Sequence, residues 1–133
     1  TAALNKYNIS VNPEYIKHCP HGGMFPEETE QAILELINLK DKPDAIFIAG
    51  DRLSIGALEV LKKLNISVPK QMTVAGFSNS DVLNLFEYPI SSVRQPAFEM
   101  GKKATEMLLQ LIESKYPVTE FDNKVIDTEL FVR

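Results

Sequence analysis

One cysteine, Cys19, is all that this 133-residue chain contains. A single thiol closes no intramolecular bridge, which fits a reducing compartment such as the cytoplasm. No apolar run is long enough to cross a bilayer, so a membrane role is not expected. The opening TAALNKY (1–7) lacks the basic start and apolar stretch of a secretory signal. Basic clusters are also scarce. LysLys recurs at 62–63 and 102–103, each time inside an amphipathic pattern with Glu nearby, and the net charge is −4. This stretch therefore lacks the electrostatic footprint of a nucleic-acid binder. Catalytic signatures are absent as well: there is no GxGxxG, Walker A loop, GxSxG elbow or HExxH, and nothing pairs a nucleophile with a base. The expectation is a non-enzyme without a cofactor.

Metal binding is disfavoured by a similar scarcity. HCPH (18–21) holds the only two histidines and the only cysteine. Zinc sites usually show a second ligand pair at a suitable distance, and no second His or Cys pair exists. The expected role of this segment is a strand end with a buried thiol. An α/β enzyme built on Asp51 or His21 would need a partner residue that the sequence does not supply.

What the chain does have is alternation. Its hydrophobic fraction of 44% suits one globular domain or part of a larger one. Residues 2–7 read as the tail of a helix, and 15–19 as a short strand. Gly22–Gly23 breaks the chain. Pro26 then suits a first helical turn, where Glu27 and Glu28 complement the helix dipole, and Ala32, Ile33, Leu36, Ile37 and Lys40 follow at helical spacing. The continuous apolar run 45–49 reads as a strand covered on both faces. Asp51 sits in N-cap position for a helix over 52–64 whose face is Leu53, Gly56, Ala57, Val60, Leu61 and Leu64. Residues 72–77 are the next buried strand, 78–81 a loop and 82–86 one or two helical turns. A further strand covers 90–94. A strongly amphipathic helix covers 98–114, with Gly101 and Ala104 as small contacts, and 124–133 hold one or two short strands. Strand–helix alternation with short connections predicts a parallel sheet with helices on both faces.

In such sheets ligands bind at the carboxyl ends of the strands. Four groups fall there: Met24–Phe25, Gly50–Asp51, Ser78–Asn79 and Gln95. Each has an ordinary structural reading beside the functional one. Asp51 is either a helix cap or an acceptor for a polar ligand. Ser78 and Asn79 either stabilise a turn or bind ligand hydroxyls without bringing charge. Gln95 either bonds nearby backbone or faces the cleft. Met24 and Phe25 are either core residues or an apolar wall. Together they describe a small-molecule pocket.

The residues that carry these features resemble the effector-binding domain of the lactose-repressor (LacI/GalR) family of bacterial transcription regulators. The matching segments are PDAIFIAGD (43–51), SIGAL (54–58), VPKQMTVAGF (68–77), SSVRQP (91–96), EMGKKA (99–104) and ELFVR (129–133). The resemblance runs from Thr1 to Arg133 and implies a three-layer α/β/α sandwich with a parallel sheet, of the periplasmic binding protein-like type I, carboxyl-terminal subdomain. It implies an effector-binding subdomain over 1–96, and a crossover helix and loop over 97–123 that would pack on a first subdomain missing here. Returning strands would cover 124–133. A helix-turn-helix head, also missing here, would bind operator DNA, and the whole would act as a homodimer or higher oligomer answering a sugar or another small polar metabolite.

Met24 falls where an aromatic often stacks on the ligand, with Phe25 adjacent. Gly50 falls where many members have Asn and some have Gly. Asp51 matches the usual Asp, and Ser78 replaces an Asp that often binds a sugar hydroxyl or a base. Gln95 matches a position that often faces the cleft. The helix face of Ala97, Gly101, Ala104, Leu108 and Leu111 would lack its family partner and is expected to associate with another copy. A second interface is expected at Val82, Leu83, Leu85 and Phe86. A periplasmic solute-binding protein of the same fold is the alternative. The EMGKKA helix and the VRQP strand favour the repressor.

Overall fold

The computed structural model describes residues 2–79, 90–114 and 122–133. Elements follow in the order α1 (Ala2–Lys6), a 3₁₀ turn (Pro13–Tyr15), α2 (Pro26–Ile37), β1 (Ala45–Ile48), α3 (Asp51–Lys63), β2 (Thr73–Phe77), β3 (Ser91–Arg94), α4 (Ala97–Glu113) and β4 (Glu129–Phe131). The four strands form one sheet in the order β1-β2-β3-β4. The first three run parallel and β4 returns antiparallel. A parallel-dominated sheet with helices is the expected α/β class, and it puts the carboxyl ends of β1, β2 and β3 on one edge; β1, however, is not covered on both faces as expected, for Phe47 is 62% exposed on the side away from α3.

Register decides which side chains are inside. Ile46 and Ile48 pair with Val74 and Gly76, so these four share a face, while Phe47 pairs with Ala75 on the other. The first face meets α3, whose Ala57, Leu58, Val60 and Leu61 join Ile33, Ile48, Met72, Val74 and Ile90 in the core. Leu61 is fully enclosed at 0% exposure; burying a leucine contributes about 1.5–3 kcal/mol. Gly76 is what lets α3 come so close. A Cβ there would lie 3.2 Å from the Ser54 hydroxyl and 3.6 Å from Ile90. Ser54, also 0% exposed, is satisfied by donating its hydroxyl to the Gly50 carbonyl at 2.8 Å.

At the far edge, the Arg94 guanidinium lies 4.5 Å from the centre of the Phe131 ring. The Arg133 amide donates to Ser91 Oγ at 3.0 Å. These contacts tie β4 to β3 where little apolar area is available.

Three expectations are corrected. Residues 15–19 are not a strand. A 3₁₀ turn capped by Asn12, whose side chain accepts from the Glu14 amide, occupies Pro13–Tyr15, and the residues after it join no ladder. A local apolar pattern cannot supply the neighbouring strand that such a ladder requires. The helix after Pro26 ends at Ile37, with Asn38 as its C-cap, so Lys40 lies outside it. Asp51 is the first helical residue, and Gly50 takes the cap position.

Helix α4 is the expected amphipathic helix, yet it buries no residue. Phe98 is 85% exposed and Ile112 70%. A Cβ at Gly101 would meet nothing within 4 Å, so its small size serves no close packing among the described residues. The sequence-predicted turns at 82–86, with Val82, Leu83, Leu85 and Phe86, lie outside the described residues, as do residues 115–121 of the expected crossover helix and loop over 97–123.

Candidate functional site

Three consecutive parallel strands deliver their polar ends to one place. β1 runs through Gly50 into the first turn of α3, where the Ser54 amide donates to the Gly50 carbonyl at 2.9 Å and fixes that turn. Asp51 is thereby held beside the end of β2. Its Oδ1 accepts the Ser78 hydroxyl and the Asn79 amide, the latter at 3.0 Å. Both bonds end on Oδ1; Oδ2 is in neither. Charge-assisted bonds of this kind contribute about 1.5–3 kcal/mol each.

Asn79 continues the bracket to β3. Its side-chain amide donates to the Gln95 carbonyl at 2.9 Å, and its Oδ1 accepts the Gln95 amide at 2.8 Å. The Ser78 amide in turn donates to the Val93 carbonyl at 3.1 Å. Gly50, Asp51, Ser78, Asn79 and Gln95 are thus one connected group. Their exposure divides them into two kinds. Asp51 and Asn79 are exposed and Gln95 is half-buried. Ser78 is only 3% exposed, so its hydroxyl serves to aim the carboxylate.

Met24 and Phe25 come from the loop before α2, and both are exposed. That loop is fastened at two points. Gly23, at φ +81°, lies against α3: a Cβ there would stand 3.1 Å from the Leu53 nitrogen and 3.1 Å from Arg52 Cβ. Only glycine combines that backbone with that space. On the other side, His21 binds Glu28 in the first turn of α2 twice, through its amide at 3.2 Å and through ring Nδ1. The Phe25 ring meets the His21 ring edge-on, centroids 4.7 Å apart at 81°. The Met24–Phe25 loop therefore abuts the same α3 turn that carries Asp51.

The His21–Glu28 pair escapes a sequence reading. The two are seven positions apart across a double-glycine turn, a spacing that no helix or strand period connects. The ring's hydrogen bond holds the Glu28 carboxyl below the usual carboxylate range. Cys19 is half-buried and off any strand; its thiol reaches the Glu28 carbonyl at 3.7 Å. Burial, and then the Glu28 charge, push that thiol above its usual value. Among the described residues no group of three His, Cys, Asp or Glu side chains is arranged to hold a metal ion. No described helix is long and apolar enough to cross a membrane.

A cavity of about 320 Å³ lies elsewhere, beside the outer edge of β1, among Tyr15, Lys17, Cys19, Ile33 and Phe47. It does not include the Asp51 bracket. The predicted interface residues Gly101, Ala104, Leu108 and Leu111 stand apart from both, on the bare α4.

The sequence profile of the periplasmic binding protein-like domain matches residues 4–133. Among curated relatives, the HTH-type transcriptional repressor CytR of Escherichia coli (strain K12) is 29% identical over 131 residues, covering 98% of this chain and 37% of the relative. The HTH-type transcriptional repressor PurR of Vibrio vulnificus is 29% identical over 133 residues, covering 98% of this chain and 38% of the relative. The chain thus spans less than two fifths of these relatives. A crystal structure described as a transcriptional regulator LacI from Bacillus cereus subsp. cytotoxis superposes with a TM-score of 0.85 at 27% identity, covering 99% of this chain and 45% of that one.

Proposed function

Because this chain belongs to the periplasmic binding protein-like domain family, and the relatives it matches include LacI-family transcriptional regulators, we propose that it is the effector-sensing part of such a regulator. In this reading it is cytoplasmic and non-catalytic. One observation carries the ligand site: an exposed carboxylate, Asp51, is aimed by Ser78 and Asn79 at the shared carboxyl edge of three parallel strands. An acceptor held this way, with an amide beside it and no basic residue in the bracket, suits a hydroxyl-rich neutral compound better than an anion. Phe25, with Met24 beside it, would supply the apolar wall.

The effector of this reading is a sugar or another small polar metabolite. Operator DNA would be bound by a separate head, and two or more copies would assemble. Val82, Leu83, Leu85 and Phe86 would form one contact between copies, and the α4 face of Gly101, Ala104, Leu108 and Leu111 another. The family's cleft has two walls. One wall alone should bind weakly, with a Kd near 1 mM, about −4 kcal/mol.

The test is an amide NMR titration of the chain with D-ribose, D-glucose and D-galactose. Saturable shifts of the Asn79 and Gln95 amides, lost in Asp51→Ala, are expected for at least one sugar. Shifts that appear equally in Asp51→Ala, or no shift at these amides with any of the three, would overturn the site.

A further inference from the structure

The bracket contains a bond pattern that ligand binding alone does not require. Asp51 is held by the main-chain N–H of Asn79, at 3.0 Å. The Asn79 side chain then does something different: its two amide atoms engage both main-chain groups of Gln95, at 2.9 and 2.8 Å. A two-point contact fixes orientation as well as distance, much as a strand pairing does. The chain of bonds goes one step further. The Gln95 carbonyl that receives the Asn79 amide also receives the Ala97 amide at 2.9 Å. Ala97 is the first residue of α4. One continuous path of hydrogen bonds therefore runs from the Asp51 carboxylate through Asn79 and Gln95 to the start of α4, and α4 itself buries no residue against the described sheet.

We infer that Asn79 is a positioning residue that transmits the state of the Asp51 carboxylate to the direction in which α4 leaves the sheet. The physical reason is the shared acceptor. Ser78 and Asn79 both draw on Oδ1 of an exposed carboxylate, so anything that pulls or removes that oxygen relaxes the Asn79 main chain. The stiff, planar side-chain amide passes the displacement to Gln95. Among the described residues α4 buries nothing that would restrain it, so a small rotation at Ala97 moves its far end at Glu113, 16 residues on, by much more. The purpose of the path rests on the effector-site reading above, but its existence can be tested without any ligand.

The experiment is residue-resolved amide hydrogen exchange on the 133-residue chain. Asp51→Ala, which takes away the shared acceptor, should speed exchange at Gln95 and Ala97 about three- to tenfold, the loss of one ordinary hydrogen bond, while leaving the Leu61 amide unchanged. Asn79→Ala should do the same, and adding Asp51→Ala to it should change nothing further. Asn79→Asp keeps an acceptor for the Gln95 amide but loses the donor to its carbonyl. It should restore protection at Gln95 and not at Ala97, a split that a general loosening of the fold would not produce, and it serves if Asn79→Ala does not fold. Wild-type exchange at Gln95 and Ala97 in Asp51→Ala, or full additivity of the two alanine variants, would overturn the inference. A chain that transmits in this way but binds no sugar leaves the inference standing and sinks the effector site; a chain that binds without transmitting does the reverse.

Discussion

Helices α3 and α4 are both amphipathic, yet they have opposite fates. α3 buries Ser54, Ala57, Leu58, Val60 and Leu61 against the sheet; α4, four residues longer, buries none. Their sequences do not differ in the strength of the apolar stripe. They differ in what the chain places next to it. α3 connects two paired parallel strands and must fold back onto their face. α4 leaves the parallel part of the sheet after β3, and β4 rejoins it at the edge. A helical period fixes that a face exists and where it lies on the helix. It does not say what will cover that face.

The contrast breaks most visibly by removing matching side chains from the two helices. Leu61→Ala empties a fully enclosed site and should cost about 2–5 kcal/mol, a large part of the stability of a domain this size. Urea unfolding should show it as a lower midpoint at an unchanged slope. If Leu61→Ala cost no more than an exposed substitution, the assignment of α3 as the core helix would be wrong.

Next in size is the fit between α3 and β2. Gly76→Ala places a methyl 3.2 Å from the Ser54 hydroxyl, and the overpacking should cost about 1–3 kcal/mol. Removing that hydroxyl should recover part of the loss, so Gly76→Ala with Ser54→Ala should be less than additive. Full additivity would mean the close approach is relieved by movement elsewhere. Gly23→Ala belongs at the upper end of the same range, because it combines φ +81° with contact to the Leu53 backbone nitrogen. Its stability loss should come with shifted Met24 and Phe25 resonances.

The loop before α2 also has a pH dependence whose sign follows from one direction. His21 lowers the Glu28 pKa in the folded chain. A carboxyl with a depressed folded value stabilises the fold above its unfolded value, near 4.3, and that contribution is lost as pH falls through the lower folded value. Glu28→Gln should therefore lower the melting temperature at neutral pH, with the difference from wild type closing in acid. A difference that widened in acid would contradict the pairing with His21.

Much of this was legible in the sequence. The runs at 45–49, 72–77 and 90–94 were strands because small and apolar residues between turn signals leave few alternatives, and the structure pairs all three. The convergence of Asp51, Ser78, Asn79 and Gln95 followed from their positions at strand ends. Their individual bonds did not. A short carboxylate after glycine reads as a cap for its own helix, yet the oxygen is used 27 residues away by Ser78. Gln95 was read for its side chain, while its main chain is what Asn79 holds. Local pattern gives each segment its preferred form. Bonds between loops depend on register, which only the assembled sheet sets.

The smallest expected stability effect is the most diagnostic for α4. Leu108 and Leu111 are exposed on the predicted association face, so Leu108→Lys with Leu111→Lys removes no buried contact and should change unfolding free energy by no more than about 0.5 kcal/mol per site. In sedimentation velocity the same double variant should shift the chain toward monomer, because two charges on that face oppose its desolvation. The pairing of these results separates two explanations for a bare amphipathic helix. If the helix seeks another surface, stability holds and association falls. If instead α4 already rests on its own sheet in solution, through contacts absent from the described residues, the double lysine variant will lose several kcal/mol, and the contrast with α3 will disappear.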